Sequence, residues 1–138
     1  MAYSSWTKMT ESLVSIITPA YNSERFIAET IVSVQNQNYQ NWEMIIVDDC
    51  STDRTAETIF SFQKNDARIK YIKNETNRGT AFSRNIALQV AKGKWIAFLD
   101  SDDIWHPEKL KRQIDFMEKN NYHFSYTKYC EIDEKSDE

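Results

Sequence analysis

Glycine is scarce in this chain of 138 residues, with only Gly79 and Gly93 present. A Gly-x-Gly-x-x-Gly dinucleotide turn needs three glycines. A Walker A loop needs two of them five apart and followed by Lys, so both phosphate cradles are excluded. Cysteine is as rare: Cys50 and Cys130 stand far apart, with no Cys-x-x-Cys and only two His. That leaves neither a disulfide framework nor a zinc site, and it fits the reducing cytoplasm. No apolar run is longer than Trp95 to Leu99, too short to span a bilayer. Met1 to Ser12 is polar with scattered aromatics and lacks the pattern of a secretory signal. An excess of positive charge is also missing. The net charge is −4, and no basic stripe with interleaved aromatics argues for a nucleic-acid surface.

What is present is a globular composition, with 41% apolar and 28% charged residues in a length that suits one domain. Strand and helix signals alternate along it. Leu13 to Ile17 reads as a first strand, and helical spacing from about Glu24 to Gln37 puts Ile27, Ile31 and Val34 on one face. Asn22 or Ser23 is the expected N-cap. Glu43 to Val47 is a second strand. Ser51-Thr52-Asp53 opens a second helix with Ala56, Ile59 and Phe60 inward. Ile69 to Ile72 is a third strand, and Asn74 to Gly79 is a loop. A third helix over 81–91 aligns Phe82, Ile86 and Val90, and Lys92-Gly93 closes it. Trp95 to Leu99 is a fourth strand, expected to be buried on both faces because it lacks polar alternation. Pro107 opens a fourth helix carrying Leu110, Ile114 and Met117, and Phe124-Ser125-Tyr126 alternates as a fifth strand. The expected fold is α/β: a mostly parallel sheet with helices on both faces, spanning residues 13–130. Residues 1–12 and the acidic stretch 131–138 read as tails.

The fourth strand ends in Asp100-Ser101-Asp102-Asp103, three carboxylates within four positions. Carboxylates this close repel one another, and a divalent cation among them would relieve the repulsion. The alternative is a solvated acidic turn that caps the next helix. In open α/β sheets, ligands bind at the carboxyl ends of the strands. Three such ends here carry unusual polar chemistry: Thr18 to Asn22, Asp48 to Ser51 and Asp100 to Asp103.

Four motifs in series carry a family resemblance. They are Ser15-Ile16-Ile17-Thr18-Pro19-Ala20-Tyr21-Asn22, Ile46-Val47-Asp48-Asp49-Cys50-Ser51-Thr52-Asp53, Asn77-Arg78-Gly79 with Arg84-Asn85, and Phe98-Leu99-Asp100-Ser101-Asp102-Asp103. Together they resemble a family 2 glycosyltransferase of the GT-A fold, of the bacterial capsule and lipopolysaccharide type, over residues 13–130. The resemblance implies a Rossmann-like nucleotide-sugar-binding half.

It also implies roles. Pro19, Ala20 and Tyr21 would lie at the nucleobase, with the Tyr21 ring stacking on it or, alternatively, wedged into the core edge. Asp49 would accept from uracil N3–H. Asp48 could do this instead, or serve as an anion at the start of the second helix. Glu24 would lie near the nucleotide or complement a helix dipole. Arg84 would face the diphosphate or pair with Asp49 or Asp100. Gly79 would supply a positive φ. Asp102 would bind ribose beside the metal, Asp103 would be its direct ligand, and Asp100 would lie close behind. The cofactor implied is Mn²⁺ or Mg²⁺, which would neutralise the leaving nucleoside diphosphate. His106 reads as a helix-start residue and Trp105 as packing. Cys50 stands where the family often has Gly.

The partners implied are a nucleotide-sugar donor and a glycan or lipid-linked acceptor, in the cytoplasm or at the inner face of the membrane. Inverting transfer needs a carboxylate base. In the family it lies beyond a further strand, so it is expected after residue 138 rather than at Glu131 or Asp133. The chain then reads as a piece of a longer enzyme, whose uncovered apolar edge would drive self-association. A phosphoacceptor receiver domain has a similar length, but it needs acids after strand one and a phosphoryl Asp after strand three. Thr18-Pro19 and Lys73-Asn74 stand there instead. A non-catalytic nucleotide- or partner-binding module is the remaining alternative.

Overall fold

The computed structural model describes residues 11–132. The expected N-terminal tail therefore lies almost wholly outside the described residues, as do most of the acidic tail and Asp133. Eight elements follow one another: β1 Val14–Ala20, α1 Ile27–Gln35, β2 Trp42–Asp48, α2 Thr55–Gln63, β3 Ile69–Lys73, α3 Thr80–Val90, β4 Trp95–Phe98 and α4 Lys109–Asn120. The four strands form one sheet in the order β3-β2-β1-β4. Every pairing is parallel, with Ile17 opposite Ile45 on one side and Phe98 on the other.

The core follows from the pleat. Successive side chains of β1 and β2 point to opposite faces. Val14, Ile16, Met44 and Ile46 face one side, where they meet Ile27 and Ile31 of α1, Ile59 of α2 and Leu110 and Ile114 of α4. Ile17, Ile45 and Val47 face the other side and meet Ala87 of α3. All seven residues of β2 are buried, because this strand is flanked on both edges and covered on both faces.

Four expectations are corrected. β4 is buried on one face only, since Ile96 and Phe98 are 41% and 53% exposed. β4 is an edge strand, and α3 packs over β1 and β2 rather than over it. Phe124 to Tyr126 forms no strand. The chain after α4 turns at Asn121 (φ 54) and runs on unpaired, with Phe124 and Tyr126 exposed. In α2, Ile59 is buried but Phe60 lies at the surface, edge-on to Tyr71. In α3 the buried pair is Ser83 and Ala87, flanked by half-buried Phe82 and Ile86, while Val90 is exposed. Small residues there let the helix approach the sheet closely.

The strand order reverses between β1 and β4, although all strands run parallel. β2 and β3 extend the sheet one way, and β4 returns to the other side of β1. Such a switch point opens a crevice at the carboxyl edge of the strands.

Candidate functional site

A cleft of about 230 Å³ lies at that edge. Pro19, Ala20 and Tyr21 line it from the end of β1, and Asp49 from the end of β2. Thr80 and Ser83 line it from the first turns of α3, and Asp100, Ser101 and Asp102 from the loop after β4. Tyr21 is about half exposed, so its ring borders the cleft and is not a wedge in the core. A larger groove, lined by Trp95, Met117 and Tyr122 among others, opens near the amino end of β4, away from these polar strand ends.

Asp48 and Asp49 divide by face. Asp48 is buried. Its Oδ1 accepts the Ser51 backbone N–H at 2.9 Å and its Oδ2 accepts the Tyr71 hydroxyl at 2.7 Å. It therefore fixes the turn into α2 and does not line the cleft. Asp49 accepts from Asn74 Nδ2 at 2.7 Å and Arg78 N at 2.8 Å on Oδ1, and from Gly79 N at 2.7 Å on Oδ2. Burial pushes its carboxyl up, but these N–H donors, with Ser83 beside them, outweigh burial and hold it below the usual carboxylate range. The loop 74–79 is thus wrapped around Asp49, and Gly79 adopts φ +91°, the left-handed value the sequence called for. Cys50 also takes a positive φ, of 65°, a cost that a glycine would avoid.

In the acidic loop, Asp100 accepts from the Arg84 guanidinium at 2.9 Å, so of the alternatives for Arg84 the ion pair with Asp100 is the one formed. The Arg84 Nε atom is buried without a partner. Loss of hydration, then the charges of Asp102 and Asp100, push the Asp103 carboxyl up.

Glu24 does not reach the cleft. Its carboxylate accepts the Arg54 N–H at 2.9 Å, complementing the start of α2 rather than of its own helix. Asp53 receives the Glu24 N–H at 3.2 Å, and Asn22 Oδ1 receives the Thr52 N–H at 2.9 Å, so the loops after β1 and β2 are laced together. Trp105 is in the core, and the exposed His106 accepts the Glu108 N–H on Nδ1 at 3.3 Å. Thr80, Ser83 and Ser101 line the cleft without having been singled out. Hydroxyl residues at a helix start and inside an acidic run carry little signal on their own.

Among the described residues, no group of three or more His, Cys, Asp or Glu side chains is gathered to hold a metal ion. Asp102 and Asp103 nevertheless present hard oxygen donors with no positively charged partner of their own among the described residues. That set does not fit a cage built wholly of protein. It fits Mg²⁺ or Mn²⁺ bound through one or two carboxylates, with water and ligand phosphate completing the shell. No helix among the described residues is long and apolar enough to cross a membrane.

Comparison with known proteins gives the same assignment from three directions. The sequence profile of glycosyl transferase family 2 matches residues 15–138. The putative teichuronic acid biosynthesis glycosyltransferase TuaG of Bacillus subtilis (strain 168) is 49% identical over 117 residues, which is 85% of this chain and 46% of that protein. The Escherichia coli UDP-Glc:alpha-D-GlcNAc-diphosphoundecaprenol beta-1,3-glucosyltransferase WfgD is 48% identical over 128 residues, 93% of this chain and 50% of that protein. The solved structure of S. aureus TarS 1-349 in complex with UDP matches with a TM-score of 0.72 at 38% identity, over 78% of this chain and 32% of that one. The chain spans about half the length of the curated relatives it matches.

Proposed function

This chain belongs to glycosyl transferase family 2, and we propose that residues 13–130 are the donor-binding half of a glycosyltransferase. The donor class is a nucleotide-sugar, specifically a UDP-sugar, held for inverting transfer to a glycan or lipid-linked acceptor at the cytoplasmic face of the membrane. The observation that carries this reading is the convergence of Tyr21, Asp49 and Asp102 from three strand ends on one cleft at the switch point. TarS, solved with UDP, supports uracil as the base.

The chain's own groups divide the work. The Tyr21 ring offers a flat face to the base, next to Pro19 and Ala20. Asp49 supplies the acceptor for uracil N3–H. A carboxylate has about four acceptor sites. Asn74, Arg78 and Gly79 already donate to it, with Ser83 beside them, so uracil N3–H would share the carboxylate with these donors at the cleft wall. Asp102 accepts from the ribose hydroxyls and, with Asp103, holds the divalent cation. Asp100 orients Arg84 toward the diphosphate through their ion pair. A bound Mg²⁺ or Mn²⁺ would stabilise the charge on the departing nucleoside diphosphate. The base that takes the acceptor proton is assigned to no residue here. Glu131 is exposed in irregular chain, and Asp133 lies outside the described residues. The open apolar edge at β4 supports self-association.

Calorimetry with UDP, in Mn²⁺ and in EDTA, tests the reading. Binding is expected only with the metal. Asp102→Asn and Asp103→Asn should each weaken it by about 1.5–3 kcal/mol, roughly 10- to 100-fold, the worth of a charge-assisted contact. Equal affinity in EDTA removes the metal from the account, and no UDP binding under either condition removes the donor site.

A further inference from the structure

The segment between β4 and α4 carries the carboxylates, yet it has no strand or helix of its own to hold it. What fixes it is a polar stripe along α1. Thr30 and Ser33 on one face of α1 and Gln37 just past its end are all buried, Thr30 completely. Burying polar side chains between apolar layers is costly unless each finds a partner. Here each finds one in the same short segment. Thr30 Oγ1 donates to the Ser101 carbonyl at 3.0 Å. Ser33 Oγ accepts the Trp105 N–H at 3.2 Å. Gln37 donates through Nε2 to the His106 carbonyl at 2.8 Å and accepts the Leu110 N–H through Oε1 at 3.1 Å. Just ahead of α1, the hydroxyls of Ser23 and Ser101 lie 2.6 Å apart. Apolar side chains would fill the same space. Only directional hydrogen bonds to successive backbone groups set how far along α1 this segment lies.

We propose that Thr30 is a positioning residue for donor binding: its hydrogen bond to the Ser101 carbonyl, continued by Ser33 and Gln37, sets the acidic loop so that Asp102 and Asp103 meet the ligand, while Thr30 itself never touches it. This deepens the donor-site reading and rests on it. Thr30 faces the core rather than the cleft, and its bond goes to the residue immediately before Asp102. Its influence therefore falls on the cation and diphosphate end of the site. At the base end, Asp49 is held by the separate network around the 74–79 loop, while the Tyr21 carbonyl accepts from the Ser23 hydroxyl at 3.2 Å.

The test uses the full chain and two ligands. UDP with Mn²⁺ reports on the whole site, and uracil, which lacks both ribose and phosphate, reports on the base end alone. Thr30→Val keeps the shape and removes the donor. It is expected to weaken Mn²⁺-dependent UDP binding by about tenfold and to leave uracil affinity unchanged by NMR titration. Thr30→Ser restores the hydroxyl and is expected to recover UDP affinity. If Thr30→Val does not fold by thermal melting, Ser33→Ala, which removes the acceptor for Trp105 N–H, is expected to show the same split. Equal weakening of UDP and uracil, or no weakening of either, overturns the positioning role. No UDP binding by the wild-type chain, with or without the metal, overturns the donor-site reading itself, and the positioning role with it.

Discussion

Asp48 and Asp49 are adjacent and chemically identical, yet β2 sends them to opposite faces of the sheet. Asp48 is consumed by Ser51 and Tyr71, whereas Asp49 faces the cleft and gathers the 74–79 loop. The sequence alone leaves the two interchangeable. Ile45-Ile46-Val47 ahead of them is unbroken, and a strand buried on both faces has no alternation to reveal which side each residue takes. Register against the neighbouring strands resolves it. Asp49→Asn would turn an acceptor-only group into one that presents N–H to N–H. UDP affinity should then fall by roughly 10- to 100-fold, with Mn²⁺ affinity little changed, as read by calorimetry. Asp48→Asn should leave UDP affinity within a few fold, because an amide can still accept from Ser51 and meet the Tyr71 oxygen. The opposite pattern would mean that the pair has exchanged roles. Arg84 carried a different kind of signal. A cation early in α3 opposes the helix dipole, so a partner was expected from the sequence, and Asp100 is that partner.

At the scale of elements, periodicity located all four helices and the first four strands, with boundaries shifted by a few residues. The failures come where an element needs a neighbour that local pattern does not report. Phe124 to Tyr126 alternates correctly but pairs with nothing, and β4 is apolar throughout but only half covered. The turn that joins α3 to β4 shows how tertiary contacts fix a short link. Glu43 on β2 is buried. Its Oε1 accepts from Ser15 Oγ at 2.6 Å and Lys92 N at 2.7 Å, and Lys70 meets its Oε2. Burial pushes its carboxyl up, and these partners more than reverse that. Gly93 then donates to Ser15 Oγ at 2.8 Å, in a space that admits no side chain. A Cβ at Gly93 would stand 2.5 Å from Ser15 N and 2.8 Å from the Trp95 carbonyl oxygen, both backbone atoms that cannot swing away. Gly93→Ala is therefore expected to cost about 1–3 kcal/mol by overpacking, visible as a lowered midpoint in urea or thermal unfolding. Unchanged stability would mean that the α3–β4 link moves freely.

For the molecule as a whole, the strand order leaves β4 with one edge unpaired among the described residues and Ile96 and Phe98 exposed on a face that α3 does not cover. An open, apolar strand edge recruits another strand. The sequence of β4 suits a second copy of itself. Lys94 precedes it and Asp100 follows Leu99, so two copies aligned antiparallel about Ala97 would set each Lys94 opposite a partner Asp100 and each Ile96 opposite a partner Phe98. That is the self-complementarity a two-fold interface requires, and cross-strand pairs of this kind stabilise a sheet. Sedimentation of the chain across a concentration series is expected to show a monomer–dimer equilibrium that weakens with salt, because the Lys94 and Asp100 pairs lie at the rim. Phe98→Lys should raise the dissociation constant by more than about tenfold. Lys94→Asp should weaken it too, by setting two carboxylates face to face, while leaving the fold intact, since Lys94 is well exposed and its contacts among the described residues are the Glu118 carboxylate at 3.9 Å and the Trp95 ring. A chain that stays monomeric at all concentrations, or a dimer indifferent to both substitutions, would place the association elsewhere or nowhere.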